Sequence, residues 1–191
     1  MVGFIGMDKR ERIIRAALKL FVEKGFHNTS TANISRAAGV AAGTLFLYFS
    51  TKDELINVLY KECKQELGRV LAEDLPLQED SRGQLRHLWF KALEWVLENT
   101  EAFRFMGMFR HSPFITSLTR EEAAAEAAFV TGIIERGIRE GEIARRDMEL
   151  IMLSIDGLLT ATTNYLSLNP AKNKARLMES SFELLWKAIG A

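Results

Sequence analysis

Cysteine and histidine are scarce in this 191-residue sequence, which holds one cysteine and three histidines. The single Cys63 excludes an internal disulfide and fits a reducing compartment, so we expect a cytoplasmic protein and interpret this thiol as unreactive. His27, His87 and His111 lie far apart, and none has a histidine or cysteine partner at the spacing of metal ligands. Neither a phosphate-binding glycine loop nor a nucleophile elbow is present. We therefore expect no enzyme, no metal site and no cofactor.

Long apolar runs and prolines are also missing. No stretch approaches the roughly 20 apolar residues that a membrane span requires, and the apolar start before Met7 is too short for a signal peptide. Met7 itself is an alternative start that the sequence leaves open. The three prolines leave long segments in which apolar residues recur at helical spacing, and no segment alternates as a strand does. This pattern predicts a soluble, all-α protein.

The formal net charge is zero, but the charge is unevenly distributed. Residues 1–64 hold ten Lys and Arg against six Asp and Glu, a net of +4, which leaves −4 for the remainder. A basic front end favours contact with a polyanion. A split of this size also arises often by chance, so it does not identify the partner.

Apolar periodicity and helix-terminating residues predict nine helices. Ser50 is predicted as the N-cap and Asp53 as the N3 residue of a capping box that opens the fourth helix. The polar run from Gln78 to Gly83 predicts a loop. The predicted helices cover 8–24, a segment capped among 28–30 and ending at 38, 42–49, about 51–74, 84–99, 100–110, 113–140, 148–168 and 171–189.

The second and third helices have the pattern of a helix-turn-helix. Ser35 is small enough for close helix approach, Gly39 suits the turn, and Leu45 can lock the second helix of the pair onto the first. An ordinary helical hairpin has the same spacing, so the spacing alone does not decide between them. The residues predicted to fill the seam and the layer beneath it are Ile34, Ala38, Val40, Phe49, Ala17 and Phe21.

A longer ordered motif surrounds this pattern. It consists of Gly25-Phe26, Thr29-Ser30, Ile34-Ser35, Ala37-Ala38-Gly39-Val40, Gly43-Thr44-Leu45-Phe46, Tyr48-Phe49 and Lys52-Asp53-Glu54-Leu55. In order and spacing it resembles the DNA-binding domain of the tetracycline-repressor family. The resemblance implies a homodimer on a near-palindromic operator, with one recognition helix in each of two successive major grooves. It also implies a C-terminal helical bundle that binds a small-molecule effector and dimerises.

On this basis we expect a helix-turn-helix domain at residues 1–52 and an effector-binding and dimerisation domain at residues 53–191. The third helix is the expected recognition helix, with its positive N-terminal end facing phosphate. Phosphate contacts position the protein, whereas base edges in the major groove supply sequence specificity. The predicted DNA-contacting residues are Thr29, Ser30, Thr31, Arg36, Ala42, Gly43, Thr44, Phe46, Leu47, Tyr48 and Lys52.

Several residues depart from the family pattern. Ala41 replaces a frequent serine before the recognition helix, and Phe46 replaces a phosphate-binding tyrosine. Ala32, Ala42 and Leu47 stand where relatives often carry polar or aromatic residues that read bases. We therefore expect little hydrogen-bond readout, with apolar contact to thymine methyl groups and DNA shape supplying modest specificity.

The remaining helices are rich in aromatic residues and methionine. The segment Phe103–Phe109 is interpreted as apolar on every face, as in a helix that is contacted from all sides. Flexible methionine side chains suit a pocket for varied apolar ligands. The predicted pocket residues are Trp89, Phe105, Met106, Phe109 and Phe129, with polar groups from His87, Arg104, Asp156 or Asn164.

The last two helices carry more apolar surface than one bundle face can bury. Pairing with the same helices of a second copy would cover it. The residues predicted at this dimer interface are Gly157, Ala161, Tyr165, Phe182, Leu185 and Trp186. The function predicted from the sequence is thus a ligand-responsive regulator, most simply a repressor that a small apolar or amphipathic effector releases from DNA. Its alternatives are an activator, or a helical enzyme or adaptor that has lost DNA binding.

Overall fold

The computed structural model describes residues 8–170 and 172–191. Within these ranges it contains ten α-helices and one isolated backbone pairing between Ile143 and Gly190, in agreement with the predicted all-α class. The helices are α1 Lys9–Lys24, α2 Thr31–Ala38, α3 Ala42–Tyr48, α4 Lys52–Ala72, α5 Ser81–Glu98, α6 Thr100–Phe109, α7 Ser117–Ala125, α8 Ala128–Glu140, α9 Met148–Leu168 and α10 Lys174–Ile189. Met7, the alternative start, lies outside the described residues.

Three of the predicted helices differ from the structure by three or more residues at their start. The single helix predicted over 113–140 is two helices, α7 and α8, and the first of them begins only at Ser117. Helix α5 begins at Ser81 because Asp80 caps it by accepting from Gly83 N–H at 2.8 Å, so Gly83 is helical and not part of the loop. Helix α10 begins at Lys174 after the N-cap Asn173, whereas Ala171, its predicted start, lies outside the described residues.

The chain divides into two compact units. The N-terminal unit contains the described residues up to Gln65 together with Thr100–Ala124, and the C-terminal unit contains Glu66–Asn99 and Ala125–Ala191. Helix α6 and most of α7 therefore pack with the first helices of the chain. The domain boundary that the sequence predicts at residue 52 stays a prediction.

The core of the N-terminal unit forms where α1 contacts α2, α3 and α6. Ile13, Ala17 and Phe21 are fully buried on one face of α1, as their helical spacing predicts. The Phe105 ring of α6 lies 6.2 Å from the Phe21 ring and 4.9 Å from the Phe109 ring. This aromatic layer supports the helices that carry the candidate DNA-binding surface.

The C-terminal unit is built on α5, which contacts α8, α9 and α10. Buried residues cover most of the α5 circumference, including Leu85, Leu88, Trp89, Leu93 and Val96. A helix buried on several sides is the central helix of its bundle. Of the described residues, no helix is both long and apolar enough to span a membrane.

Candidate nucleic-acid interface

The turn between α2 and α3 has the predicted geometry. Gly39 adopts a left-handed conformation with φ of 64°, which glycine takes without steric cost. Ser35 is buried and its hydroxyl donates to the Thr31 carbonyl at 2.9 Å. Leu45 is fully buried and anchors α3. The predicted roles of Ser35, Gly39 and Leu45 are confirmed.

An arginine of α1, which sequence reasoning missed, also supports this turn. The Arg12 guanidinium donates to the Gly39 carbonyl at 2.8 Å. A cation at this position is favourable because the C-terminal end of a helix carries partial negative charge. The contact fixes the end of α2 on α1.

Ser30 and Thr29, both predicted to contact phosphate, have different roles at the start of α2. Ser30 is the N-cap, and its side chain accepts from Asn33 N–H at 3.1 Å. Thr29 has no exposed surface, and its hydroxyl donates to the carbonyls of Gly25 at 2.7 Å and Leu20 at 3.1 Å. The predicted phosphate contact of Thr29 is therefore wrong, because the hydroxyl is enclosed and holds the loop after α1.

Helix α3 presents an apolar surface to solvent. Leu47 is 85% exposed and Phe46 is 50% exposed, although both are large apolar residues. Tyr48 is 42% exposed, and Ala42 and Gly43 are also exposed. Ala41 is the N-cap without a side-chain hydrogen bond, as the departure from the family pattern predicts.

The polar residues beside α3 are few. Arg36 and Ala32 are exposed on α2, whereas Thr31 and Thr44 are half-buried. Among the predicted DNA-contacting residues on α2 and α3, Arg36 is therefore the only charged one, and its side chain is exposed. The surface fits DNA contact through apolar groups, backbone and a small number of polar side chains.

Lys52 has partners inside the protein. Its ammonium donates to the Phe26 carbonyl at 2.9 Å and the Thr29 carbonyl at 3.1 Å, and it lies 3.9 Å from the centre of the Phe26 ring. These contacts join the start of α4 to the loop before α2. Two carbonyls thus already engage its half-buried side chain, and the interpretation of Lys52 as a charge aimed at phosphate stays a prediction.

The cap of α4 is one residue later than predicted. Thr51 accepts from Glu54 N–H at 3.0 Å, and the Glu54 carboxylate accepts from Ser50 N–H at 2.7 Å and from the Ser50 hydroxyl. The hydrogen bonds from Ser50, its side chain first, lower the pKa of Glu54. The predicted pair Ser50 and Asp53 is wrong because the helix begins at Lys52.

Asn57 is a further positioning residue that sequence reasoning missed. Its amide donates to the Phe114 carbonyl at 2.8 Å and accepts from Thr116 N–H at 3.0 Å. The Phe114 ring stacks on Phe26 with 3.9 Å between the ring centres. The segment after α6 is thereby fixed to α4 and to the loop that carries Thr29.

The predicted pocket residues are divided between the two units. Arg104, Phe105, Met106 and Phe109 belong to the N-terminal unit, in which Arg104 is exposed and the other three are buried. Gly107 and Met108 are also exposed, so α6 has one apolar face, and the interpretation of it as apolar on every side is wrong. Phe105 and Phe109 pack on Phe21 and serve the core of this unit.

The other predicted pocket residues lie in the C-terminal unit. Trp89 is buried, and its indole N–H donates to the Ser181 hydroxyl at 2.9 Å. His87 Nε2 donates to the Glu73 carbonyl at 3.0 Å, while Phe129 and Asp156 are half-buried and Asn164 is exposed. An open surface pocket of about 320 Å³ lies in this unit and includes His87. Its other lining residues are Pro76, Glu79, Gly83, Arg86, Phe90, Lys91 and Glu94.

The predicted dimer residues also separate into two groups. Phe182 and Leu185 are buried within the C-terminal unit, so their placement at an interface is wrong. Trp186 is half-buried, and Gly157, Ala161 and Tyr165 are exposed on α9. Four leucines of these helices are also exposed, and they are Leu150, Leu153, Leu168 and Leu184. The apolar surface that the sequence assigns to pairing includes Leu153 and Leu184 but misses Leu150 and Leu168.

Two family models together cover most of the chain. Residues 13–59 match the bacterial regulatory proteins of the tetR family, and residues 60–191 match the tetracyclin repressor-like C-terminal domain. The chain belongs to the tetR family. It is a DNA-binding transcriptional regulator and not an enzyme, and the helix-turn-helix described above is its DNA-binding element.

Individual relatives agree with this assignment. The chain is 26% identical over 195 residues to the fatty acid metabolism regulator protein of Bacillus subtilis, with 95% of each chain covered. A crystal structure described as a tetR family transcription regulator from Shewanella sp. PV-4 has a TM-score of 0.87 and 34% identity, covering 97% of this chain and all of that one. The regulator FadR from Bacillus subtilis, in complex with stearoyl-CoA, has a TM-score of 0.68 and 25% identity, covering 92% and 96% of the two chains.

Metal-binding chemistry has no counterpart in the part of the chain that the structure describes. Residues 8–170 and 172–191 contain no group of three or more His, Cys, Asp or Glu side chains that could hold a metal ion.

Proposed function

We propose that this regulator is a ligand-responsive repressor that binds a near-palindromic operator as a homodimer and is released by an amphipathic effector. The observation that carries the proposal is the exposed helix-turn-helix surface on a chain whose remaining 132 residues match a regulatory C-terminal domain. A repressor needs only to occupy its operator, whereas an activator needs an additional surface for the transcription machinery.

The homodimer is supported by an exposed apolar face on α9 and α10. Four large apolar residues of α9 are each at least 45% exposed, and they are Leu150, Leu153, Tyr165 and Leu168. They follow one another at spacings of three, twelve and three residues. Leu184 of α10 is 60% exposed. Gly157 and Ala161 lie between them on the exposed side and permit close helix approach. A second copy of the same two helices would bury this face in an isologous contact.

The class of effector is supported by the relatives. One is a fatty acid metabolism regulator, and another is a regulator crystallised with stearoyl-CoA. We therefore propose a long-chain acyl thioester or a molecule of similar amphipathic character as the effector.

A gel-shift experiment tests this proposal with DNA from upstream of the chain's own gene. We expect salt-sensitive binding, because neutralised phosphates release counterions. Addition of stearoyl-CoA should abolish the shifted band, whereas coenzyme A alone should not. Binding that stearoyl-CoA leaves intact would contradict the proposed effector class. No binding at low salt would favour an adaptor that has lost DNA binding, the alternative left by the sequence.

A reporter gene placed behind the same DNA distinguishes repression from activation. Deletion of the regulator should raise reporter expression if it represses. A fall in expression would show an activator.

A further inference from the structure

Within residues 66–99, 125–170 and 172–191 of the C-terminal unit, two buried polar groups have no hydrogen-bond partner. They are the indole N–H of Trp95 on α5 and the hydroxyl of Thr163 on α9. Each residue is only 4% exposed. A buried donor without an acceptor loses its bond to water and gains nothing in return, so such groups are rare and call for an explanation.

Neighbouring buried polar residues in the same unit do have partners. Trp89 donates to Ser181, and the Ser181 hydroxyl donates in turn to the Met178 carbonyl at 2.7 Å. Gln84 donates to the Pro76 carbonyl and accepts from Arg136 at 2.9 Å. The interior of this unit is thus able to satisfy buried polar groups, which makes Trp95 and Thr163 exceptions.

The pairing of helices places both groups towards the same end of the bundle. Helices α5 and α10 run antiparallel, because Arg82 pairs with Glu183 at 2.6 Å and Arg86 with Glu179 at 3.0 Å. Helices α9 and α10 are also antiparallel, since Arg146, just before α9, donates to the Ala188 carbonyl at 2.7 Å. The C-terminal parts of α5 and α9 therefore lie at one end.

The surroundings of the two groups are apolar. Leu159 and Leu166 lie about one turn before and one turn after Thr163, and both are buried. Leu88 and Ala92 are buried on the turns of α5 that precede Trp95. A ligand that reaches these donors must therefore be largely apolar and must carry an acceptor.

We propose that Trp95 and Thr163 bind a polar oxygen of the effector, most simply the carbonyl oxygen of an acyl thioester, inside the C-terminal unit. An indole N–H can only donate, and the threonine hydroxyl can donate as well. Two neutral donors suit a neutral carbonyl oxygen enclosed among apolar side chains. This inference rests on the proposed function and adds the residues and the ligand atom that carry recognition.

Binding to variants that lack one of the two donors tests the proposal in the full-length protein. Trp95→Phe and Thr163→Val each remove one donor, and stearoyl-CoA is compared with its thioether analogue S-octadecyl-coenzyme A, which lacks the carbonyl oxygen. We expect each variant to bind stearoyl-CoA about three- to tenfold more weakly than the wild type, the range for one neutral hydrogen bond. Binding of the thioether should change much less.

The outcomes separate the inference from the proposed function. If the wild type binds stearoyl-CoA and both variants bind it equally well, the inference fails and the proposed function stands. If the wild type binds neither probe, both the proposed effector class and the inference that rests on it are wrong. An equal loss for both probes would also overturn the inference, because it would show lost packing and not a lost carbonyl contact.

Thermal unfolding without ligand gives an independent readout. Trp95→Phe is compared with Trp89→Phe, which removes the same volume but breaks the bond to Ser181. We expect the Tm of the Trp89 variant to fall about 2–4 °C further than that of the Trp95 variant. Thr163→Val should leave the ligand-free Tm unchanged or higher. A clear fall in Tm for Thr163→Val, or equal falls for the two tryptophan variants, would show that the groups have structural partners and would overturn the proposal.

Discussion

Lys52 and Phe26 are joined twice, because the Lys52 ammonium donates to the Phe26 carbonyl at 2.9 Å and lies 3.9 Å from the centre of the Phe26 ring. A third contact runs from the same ammonium to the Thr29 carbonyl. A charge held in this way fixes the loop before α2 against the start of α4. We propose that Lys52 orients the helix-turn-helix and that its effect on DNA binding is indirect.

Lys52→Met tests this role by removing the charge and keeping most of the side-chain length. We expect the free energy of unfolding to fall by about 1.5–3 kcal/mol, the range for hydrogen bonds from a charged group. The slope of log affinity against log salt should stay unchanged, because no phosphate contact is lost. Urea unfolding and DNA titrations at several salt concentrations measure the two quantities.

Arg36→Met is the matched control for Lys52. Arg36 is exposed on α2, so its loss should leave stability nearly unchanged while the salt slope falls by about 0.9 if it contacts one phosphate. A fall of this size for Lys52→Met would restore the phosphate role that the sequence predicts for it.

Thr29→Val removes a hydroxyl that bonds to two carbonyls in a fully buried position. We expect a loss of about 1–3 kcal/mol in the free energy of unfolding, because the carbonyls of Gly25 and Leu20 lose their donor. At a temperature where the variant is folded, its salt dependence of DNA binding should match that of the wild type. A weaker salt dependence would show that Thr29 reaches DNA after all.

Helix α3 allows a test of apolar base readout through Leu47. Each thymine of the operator half-site is replaced in turn by deoxyuridine, which lacks the methyl group. Where Leu47 covers a methyl group, we expect a loss of about 0.8 kcal/mol, or roughly fourfold in affinity. The Leu47→Ala variant should not distinguish the two bases at that position. Strong preference for guanine beneath Leu47, with no effect of uridine anywhere, would contradict apolar readout.

The helix-turn-helix was predictable because its signals are local. The turn needs Gly39 for its left-handed backbone, and helix geometry fixes Ser35 four residues before it and Leu45 six residues after it. The contacts of Arg12 with Gly39 and of Lys52 with Phe26 span 27 and 26 residues. No periodicity links such positions, so a basic side chain near a DNA-binding motif is easily read as a phosphate ligand.

The sequence also does not show which apolar face of a helix is buried. Phe182 and Leu184 are both apolar residues of α10, yet Phe182 has no exposed surface and Leu184 is 60% exposed. Helical periodicity identifies that α10 has two apolar faces but does not say which one packs on α5 and α9. The same ambiguity placed Phe105 in a ligand pocket, although it packs on Phe21.

The low pKa of Glu54 makes one contribution to stability depend on pH. The charged carboxylate accepts from Ser50, whose hydrogen bonds lower the Glu54 pKa in the folded state. A lowered folded-state pKa means that this stabilisation is present above the unfolded pKa and is lost as pH falls through the folded value. Glu54→Gln should therefore lower Tm at pH 7, and the difference from the wild type should narrow below about pH 4.5. A difference that stays constant down to pH 3 would contradict the assignment.

The exposed face of α9 and α10 predicts the effect of charge at the proposed dimer interface. Leu153→Glu and Leu184→Glu each place a carboxylate in a contact where its symmetry mate carries another. Since an unpaired buried charge costs about 3–5 kcal/mol, the dissociation constant of the dimer should rise at least about 100-fold. Sedimentation velocity at low micromolar concentration should then show a monomer, and operator binding should weaken because two half-sites are no longer held together.

The control is Leu77→Glu, which makes the same substitution at a leucine that is 72% exposed outside α9 and α10. This variant should remain a dimer and bind the operator normally. Circular dichroism verifies that all three variants stay helical, as expected for residues whose side chains are largely in solvent within one chain. Dimers of undiminished stability in both interface variants would place the contact between copies elsewhere, and monomers in all three would show a general effect of added charge.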